Sequence, residues 1–265
     1  MKGKIADWFV NNYLSFAGWM RAKGFKFIPV HHADYIDKGM MMFIDEFEDL
    51  ENWDKGLWWG DHHPDERKYT KDENIKLVGT GAELTVKYDP MVYNDRRYMY
   101  STGLLECKQS FSYGYFEVCC SMEIGRDLWY APLWFVSREN DHYFPVTPEL
   151  DVCEVYTDSD GLNMHANSDV HYGLDYSEKY KRDLGAKTHV DVDFSWPNIF
   201  GCKWSEDSIE IYYNNYLVRR ITSERVLSMF RTKLMPIISS GVKNDKVADE
   251  TNRMIVHWFK YYKNR

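Results

Sequence analysis

The chain has 265 residues, of which 44% are hydrophobic and 28% charged, a composition that excludes an intrinsically disordered protein and fits one large domain. The formal net charge of −8 disfavours nucleic-acid and anionic-membrane partners, because both need basic surface. Aromatic residues make up 17% of the chain; they suit half-buried β-surfaces, and exposed tryptophan and tyrosine rings offer flat faces to sugars.

The first segment has the periodicity of an amphipathic helix over residues 4–23. Its apolar residues lie three or four positions apart at Ile5, Phe9, Tyr13, Phe16 and Met20. We predict that residues 1–42 form an N-terminal helical extension that packs on the domain; the alternative is a helix that docks on a partner. Polar residues interrupt the segment, so it is not a convincing signal peptide, and no apolar run reaches the length of a membrane span.

From about residue 43, short alternating runs separated by Gly, Asn, Asp and Pro are typical of strands. Clear examples are NIKLVG, AELTVKY, GYFEVCCSMEI, PLWFVS and SIEIYYNNYLVRRI. In the last run, Asn214 and Asn215 favour the positive φ of a tight hairpin turn. A second short helix is predicted over 223–231. The five cysteines are odd in number and indicate no disulfide framework. We therefore predict an all-β fold, an antiparallel β-sandwich over 43–265.

The stretch PELDVCEV places three acids in a strand that is otherwise apolar. Glu149 and Asp151 share one face by simple alternation, whereas Glu154 points to the opposite face unless the strand contains a bulge. A single-residue bulge at Val152–Cys153 would bring all three acids to one face. Two carboxyl groups that approach to roughly 5 to 5.5 Å suit a retaining glycosidase. Solvated carboxylates or a Ca²⁺ site are the alternatives.

PELDVCEV also resembles the signature of the family 16 glycoside hydrolases, in the longer, bulged form with six positions from the first glutamate to the last. The resemblance continues in the family's order over about residues 43–262. It includes FIDEFEDLENW (43–53), SFSYGYFEVCCSME (110–123), APLWFVS (131–137), HYG (171–173) and MIVHWFKYY (254–262). It implies a jelly-roll, concanavalin-like sandwich and no cofactor.

The resemblance also implies roles for the acids. Glu149 corresponds to the nucleophile, Asp151 to the assisting acid and Glu154 to the general acid/base. Trp134 and His171 correspond to substrate-contacting residues, with Trp129 and Phe144 as further candidates. The alternative for Trp134 and Trp129 is packing in the core, and the alternative for His171 is a structural role.

Two features concern metals. Many family members have an aspartate in the closing strand that binds a structural Ca²⁺, and His257 stands there in this chain, so we predict no calcium. The cluster Asp61-His62-His63-Pro64-Asp65 lacks a spaced third ligand and is expected to be exposed rather than metal-binding.

We therefore expect a retaining endo-glycosidase that hydrolyses internal β-linkages of a polysaccharide, most of all a β-1,3- or β-1,3/1,4-glucan. The alternatives are a galactan-directed hydrolase of the agarase or carrageenase type, a transglycosylase, and a non-hydrolytic carbohydrate-binding protein. A monomer is expected, with no nucleic-acid or membrane partner. The substrate class implies an extracellular location.

Overall fold

A computed structural model describes residues 12–13, 16, 32–33, 35–58, 60–62, 68–123, 125, 128–138, 147–157, 164–172, 182–183, 186–188, 193–242 and 252–264. The helix predicted over 4–23 lies outside these residues except for three helical positions, Asn12, Tyr13 and Phe16, so the N-terminal extension stays a prediction. In the described part of the chain, no helix has the length and apolar character that a membrane span requires.

Eighteen strands are present among the described residues. They are β1 (Met40–Asp45), β2 (Trp53–Lys55), β3 (Lys68–Thr70), β4 (Ile75–Val78), β5 (Gly81–Tyr93), β6 (Arg96–Thr102), β7 (Leu104–Cys107), β8 (Gly114–Met122), β9 (Leu128–Val136), β10 (Glu149–Thr157), β11 (Met164–Tyr172), β12 (Arg182–Asp183), β13 (Ala186–Thr188), β14 (Asn198–Trp204), β15 (Ile209–Tyr213), β16 (Tyr216–Ile221), β17 (Met235–Val242) and β18 (Asn252–Lys263). A helix follows at Glu224–Leu227, and 3₁₀ turns occur at Asp72–Asn74 and Ser228–Phe230.

The strands form two sheets, which confirms the predicted β-sandwich. The ten-stranded sheet has the order β16-β15-β14-β8-β18-β5-β6-β3, with β1 paired to β18 and β4 to β5. The eight-stranded sheet has the order β12-β11-β10-β9-β17-β7-β2, with β13 paired to β11. The pairings are antiparallel except that of β3 with β6, which is parallel. The acid-bearing β10 therefore lies inside its sheet, between β9 and β11.

A tight turn connects the two strands of each of two hairpins. Asn214 and Asn215 have φ values of 47° and 66° between β15 and β16, as the sequence predicts. Asn94 and Asp95 do the same between β5 and β6, with φ values of 47° and 58°. Asparagine and aspartate tolerate this left-handed conformation better than other residues with a Cβ, which fixes the register of both hairpins.

The core lies between the two sheets and is rich in aromatic residues. Phe116 of β8 and Phe135 of β9 are almost wholly buried, and their ring centroids lie 5.1 Å apart across the interior. Each fully buried aromatic side chain contributes on the order of 1.5–3 kcal/mol relative to an exposed one. Alternate residues of β10, among them Leu150, complete this core, which leaves Glu149 and Asp151 on the outer face of the eight-stranded sheet.

A second, smaller cluster lies on the outer face of the ten-stranded sheet. Here Ile36 packs with Tyr115, Tyr212 and Leu217. Lys38 Nζ lies 2.7 Å from Oε2 of the nearly buried Glu117. Ile36 and Lys38, just ahead of β1, thus lie on the sheet opposite to the one that carries the acids.

Candidate active site

A β-bulge in β10 brings the three acids together, as the sequence predicts. Against β11, Glu149 is paired with His171, Asp151 with Asp169, and Glu154 with Asn167. Three steps along β10 therefore match two steps along β11, so β10 contains one extra residue at Val152–Cys153. Because paired residues of an antiparallel sheet share a face, Glu149, Asp151 and Glu154 line the same face.

The neighbouring strand β9 contains an irregularity that compensates the bulge. Asp151 is paired with Trp134 and Val155 with Tyr130, and β9 has an extra residue between Leu133 and Tyr130. The register beyond the bulge is thereby restored. Trp129, which is paired with Tyr156, therefore lies on the same face as Trp134 and the acids.

The pKa of Glu149 lies well above the usual glutamate value. Burial of its carboxyl group is the largest cause, and the negative charge of Asp151 is the second. His171 acts in the opposite direction and lowers the Glu149 pKa. His171 Nε2 lies 3.1 Å from Asp151 Oδ2. A strongly raised pKa is typical of carboxyl groups at functional sites.

Asn167 connects the third acid to a fourth carboxylate that the sequence analysis missed. Its Nδ2 donates to Glu154 Oε2 at 3.2 Å and to Asp169 Oδ2 at 3.1 Å, which uses both amide hydrogens. Asp169 is 7% exposed. Asn167, Asp169 and His171 alternate along β11, so their period of two is the sequence signal that indicates a polar face.

Two tryptophans flank the acids, and each has a protein contact. Trp134 is half-buried, and its Nε1 donates to Ser239 Oγ at 3.2 Å. Lys68 Nζ lies 4.3 Å from the ring centroid of Trp129, a cation–π contact that covers part of one ring face. Phe144, the fourth candidate for substrate contact, lies outside the described residues.

A further charged pair lies on the same sheet face. Glu106 of β7 is paired with Ile237 of β17, which in turn is paired with Trp134. Glu106 is completely buried and contacts the guanidinium group of Arg138, which also lies 4.0 Å from Asp54. Three strand spacings of about 4.8 Å place this pair roughly 14 Å from Asp151. The sequence pattern did not indicate it.

His62, His171 and His257 each contact another side chain of the protein. His62 stacks on Tyr93, with ring centroids 4.1 Å apart, so it belongs to an aromatic cluster. His257 Nδ1 lies 2.9 Å from Thr80 O and its Nε2 3.1 Å from Ser121 Oγ. One ligand atom each of Glu149, Asp151 and His171 lies within 4.8 Å of the others, close enough to share a metal ion. The hydrogen bond between His171 and Asp151 accounts for this proximity without one.

The sequence matches the model of the glycosyl hydrolases family 16 over residues 63–260. This chain belongs to that family. The matched range contains both bulged strands and the four acids Glu149, Asp151, Glu154 and Asp169. The family 16 assignment thus agrees with the sequence resemblance and with the two-sheet fold.

Comparison with individual proteins supports the family 16 fold. A β-glucanase of Rhodothermus marinus is 24% identical over 70% of this chain and 66% of its own length. β-Porphyranase B of Zobellia galactanivorans is 26% identical over 57% of this chain and 56% of its own length. The chain thus spans less than two thirds of either relative. The catalytic domain of an endo-1,3-β-glucanase (laminarinase) from Thermotoga petrophila superposes with a TM-score of 0.70 at 19% identity, covering 85% of this chain and 98% of that one.

Proposed function

We propose that this family 16 protein is a retaining endo-glycosidase that hydrolyses internal linkages of a β-1,3- or β-1,3/1,4-glucan. The observation that carries the proposal is the bulge in β10, which places Glu149, Asp151 and Glu154 on one sheet face. Double displacement at a sugar carbon requires two carboxyl groups that can approach the same glycosidic bond, as two acids on one face can.

Each acid has one role in this proposal. The Glu149 carboxylate attacks the anomeric carbon, while Glu154 gives its proton to the departing glycosidic oxygen, so that one C–O bond forms as the other breaks. In the second step Glu154 takes a proton from water, and the water oxygen displaces Glu149 from the sugar. Both inversions together retain the anomeric configuration.

Asp151 and His171 orient the nucleophile. Asp151 raises the pKa of Glu149 through its negative charge, and His171 lowers that pKa. Because these effects oppose one another, the pH at which Glu149 becomes a carboxylate depends on the contact between Asp151 and His171. Asn167 of β11 donates a hydrogen bond to the carboxyl group of Glu154 of β10 and so helps to orient it.

The substrate lies on the aromatic and polar groups of the same sheet face. We assign sugar contacts to Trp134, His171, Trp129 and, by its place in the family motif, Phe144. The amphipathic rings of tryptophan suit the apolar faces of a pyranose. The carboxylates beside the reacting carbon favour a neutral glycan over a sulfated one, since sulfate is better held by Lys and Arg.

A galactan-directed hydrolase is the second candidate, because one curated relative is a porphyranase and Arg138 offers a guanidinium group on the site face. Transglycosylation uses the same intermediate with a sugar hydroxyl in place of water. A non-hydrolytic binding protein is disfavoured because all three acids are present. We also propose that the protein acts outside the cell as a monomer, that residues 43–265 form the catalytic domain and that residues 1–42 pack on it.

Product analysis tests the proposal. Laminarin, mixed-linkage β-glucan, agarose, carrageenan and porphyran are each incubated with the wild type and with Glu149→Gln. We expect oligosaccharides from laminarin or mixed-linkage glucan with the wild type alone. Release from a galactan only would replace the glucan by the second candidate, and no release from any of the five would refute a hydrolase.

A further inference from the structure

The bulge in β10 creates a local problem of backbone hydrogen bonding. Where two residues of one strand oppose one residue of its neighbour, the ladder is interrupted and carbonyl groups turn away from their usual partners. Val152 and Cys153, which form the bulge, are completely buried. Buried carbonyl groups need a hydrogen-bond donor from elsewhere in the protein, because bulk water does not reach them.

A tyrosine from the opposite sheet supplies one donor. The hydroxyl of Tyr213, at the end of β15, lies 3.0 Å from the carbonyl oxygen of Val152 and 3.1 Å from that of Asn167. Tyr213 is itself completely buried. Its side chain therefore crosses the core, and its single hydroxyl hydrogen is shared between two carbonyl oxygens, one on β10 and one on β11.

An arginine from the same hairpin supplies the second donor. Arg219 of β16 is 4% exposed, and its guanidinium group donates from Nη1 to the carbonyl oxygen of Ser168 at 2.6 Å. Ser168 lies between Asn167 and Asp169, at the place on β11 that the two bulged residues oppose. A cationic side chain is rarely buried inside a sandwich unless it is hydrogen-bonded, so the contact with Ser168 helps to stabilise Arg219 in the core.

We propose that Tyr213 and Arg219 are positioning residues that set the separation of Glu149 and Glu154 by holding the bulge from the opposite sheet. The inference rests on the catalytic roles proposed for the two glutamates, which stand on either side of the bulge. Sliding the bulge by one residue moves a side chain by about 3.3 Å along the strand or turns it to the other face. A misplacement of about 1 Å at a reacting group already lowers rates by roughly a hundredfold.

The test compares Tyr213→Phe with Tyr212→Phe. Tyr212 is the neighbouring residue of β15 on the outer face, where its hydroxyl donates to Glu210 Oε2 at 2.6 Å, so both variants lose one hydroxyl and its hydrogen bond. On laminarin we expect Tyr213→Phe to lower kcat about tenfold or more with KM within about twofold, and Tyr212→Phe to change either by less than about twofold. Near-UV circular dichroism gives the folded fraction, by which rates are normalised.

A substrate with a strong leaving group separates positioning from folding. With 2,4-dinitrophenyl β-laminaribioside the departing group needs no proton, so the burst of dinitrophenolate should fall less than about threefold in Tyr213→Phe. A fall of equal size in the normalised rates on both substrates would overturn the proposal. Equal kcat values on laminarin for Tyr213→Phe and wild type would overturn it too.

Arg219→Lys and Arg220→Lys form a second matched pair, since Arg220 Nε pairs with Glu210 Oε1 on the outer face at 2.7 Å. Only Arg219→Lys should lower kcat. Amide hydrogen exchange provides a readout that needs no activity: residues 150–155 and 166–169 should exchange about tenfold faster or more in Tyr213→Phe than in Tyr212→Phe. If the wild type cleaves no glycan, the proposed function fails, and equal exchange in the two variants then overturns the positioning role separately.

Discussion

His171 Nε2 lies 3.1 Å from Asp151 Oδ2, although the strand register pairs His171 with Glu149 instead. The contact is thus diagonal and links the residue opposite one acid to the next acid along β10. A single histidine on β11 thereby influences two carboxyl groups of the site.

The pH dependence of kcat/KM should report the raised pKa of Glu149. Because the nucleophile must be ionised, activity is lost as the pH falls through that pKa, and the acid limb should lie above the pH of about 4.3 expected for ordinary glutamate. Asp151→Asn removes a negative charge that raises the Glu149 pKa, so its acid limb should move to lower pH. Initial rates across the pH range measure both.

His171→Gln should move the acid limb the other way. His171 lowers the pKa of Glu149, so its removal raises that pKa and shifts the limb to higher pH. The two variants thus serve as controls for one another. Shifts in the same direction would contradict the electrostatic account of the site.

Glu149→Gln should stabilise the protein at neutral and alkaline pH. A glutamate whose pKa is raised by folding contributes stability that is fully present below its unfolded pKa of about 4.3 and is lost as the pH rises through the folded pKa. Glutamine does not titrate. Thermal melts should therefore show a higher Tm for the variant at pH 8 and a difference that disappears near pH 4. A lower Tm at pH 8 would contradict the raised pKa.

Trp134 should bind substrate through its ring and be held by its indole N–H. Trp134→Phe keeps an aromatic ring but loses the hydrogen bond to Ser239, which is worth about 1 kcal/mol of stability. Trp134→Ala loses the stacking surface too, so KM should rise by roughly two- to twelvefold, equivalent to about 0.5–1.5 kcal/mol. Ser239→Ala controls for the hydrogen bond alone, and an unchanged KM in Trp134→Ala would remove this residue from the substrate site.

Calcium should not change the stability of the protein. Both ring nitrogens of His257 have hydrogen-bond partners: Nδ1 donates to Thr80 O, which only accepts, and Nε2 lies 3.1 Å from Ser121 Oγ. Protein groups therefore contact both ring nitrogens of His257 without an ion. Melts with Ca²⁺ and with a chelator should give the same Tm, whereas a higher Tm with Ca²⁺ would indicate a ligand set that the sequence does not suggest.

The sequence predicted the parts of the site that depend on local spacing. The alternation of Glu149 and Asp151, the need for a bulge before Glu154, and the turn at Asn214–Asn215 all follow from neighbouring residues. The structure confirms the bulge and the turn. The division of the chain at residue 42 and the helix before it stay predictions.

The sequence did not predict contacts between residues that are far apart in the chain. Tyr213 alternates with Ile209 and Ile211 like any core residue, and only the packing of the two sheets brings its hydroxyl to Val152, 61 positions away. The compensating irregularity in β9 was missed although Pro132 lies in that stretch, and proline inside a central strand indicates a bulge. Asn167 was missed for a different reason, since its period-two pattern was visible but only the register with β10 gives it a partner.

We propose that Glu149 and Glu154 act together by double displacement at the anomeric carbon. Glu154→Ala should lower hydrolysis of laminarin by at least about a thousandfold, because the acid and base of both steps is lost. Azide needs no base and should restore turnover of 2,4-dinitrophenyl β-laminaribioside, which needs no acid. The anomeric configuration of the glycosyl azide, read by NMR, decides the matter: the account predicts the β-azide, and an α-azide would contradict it.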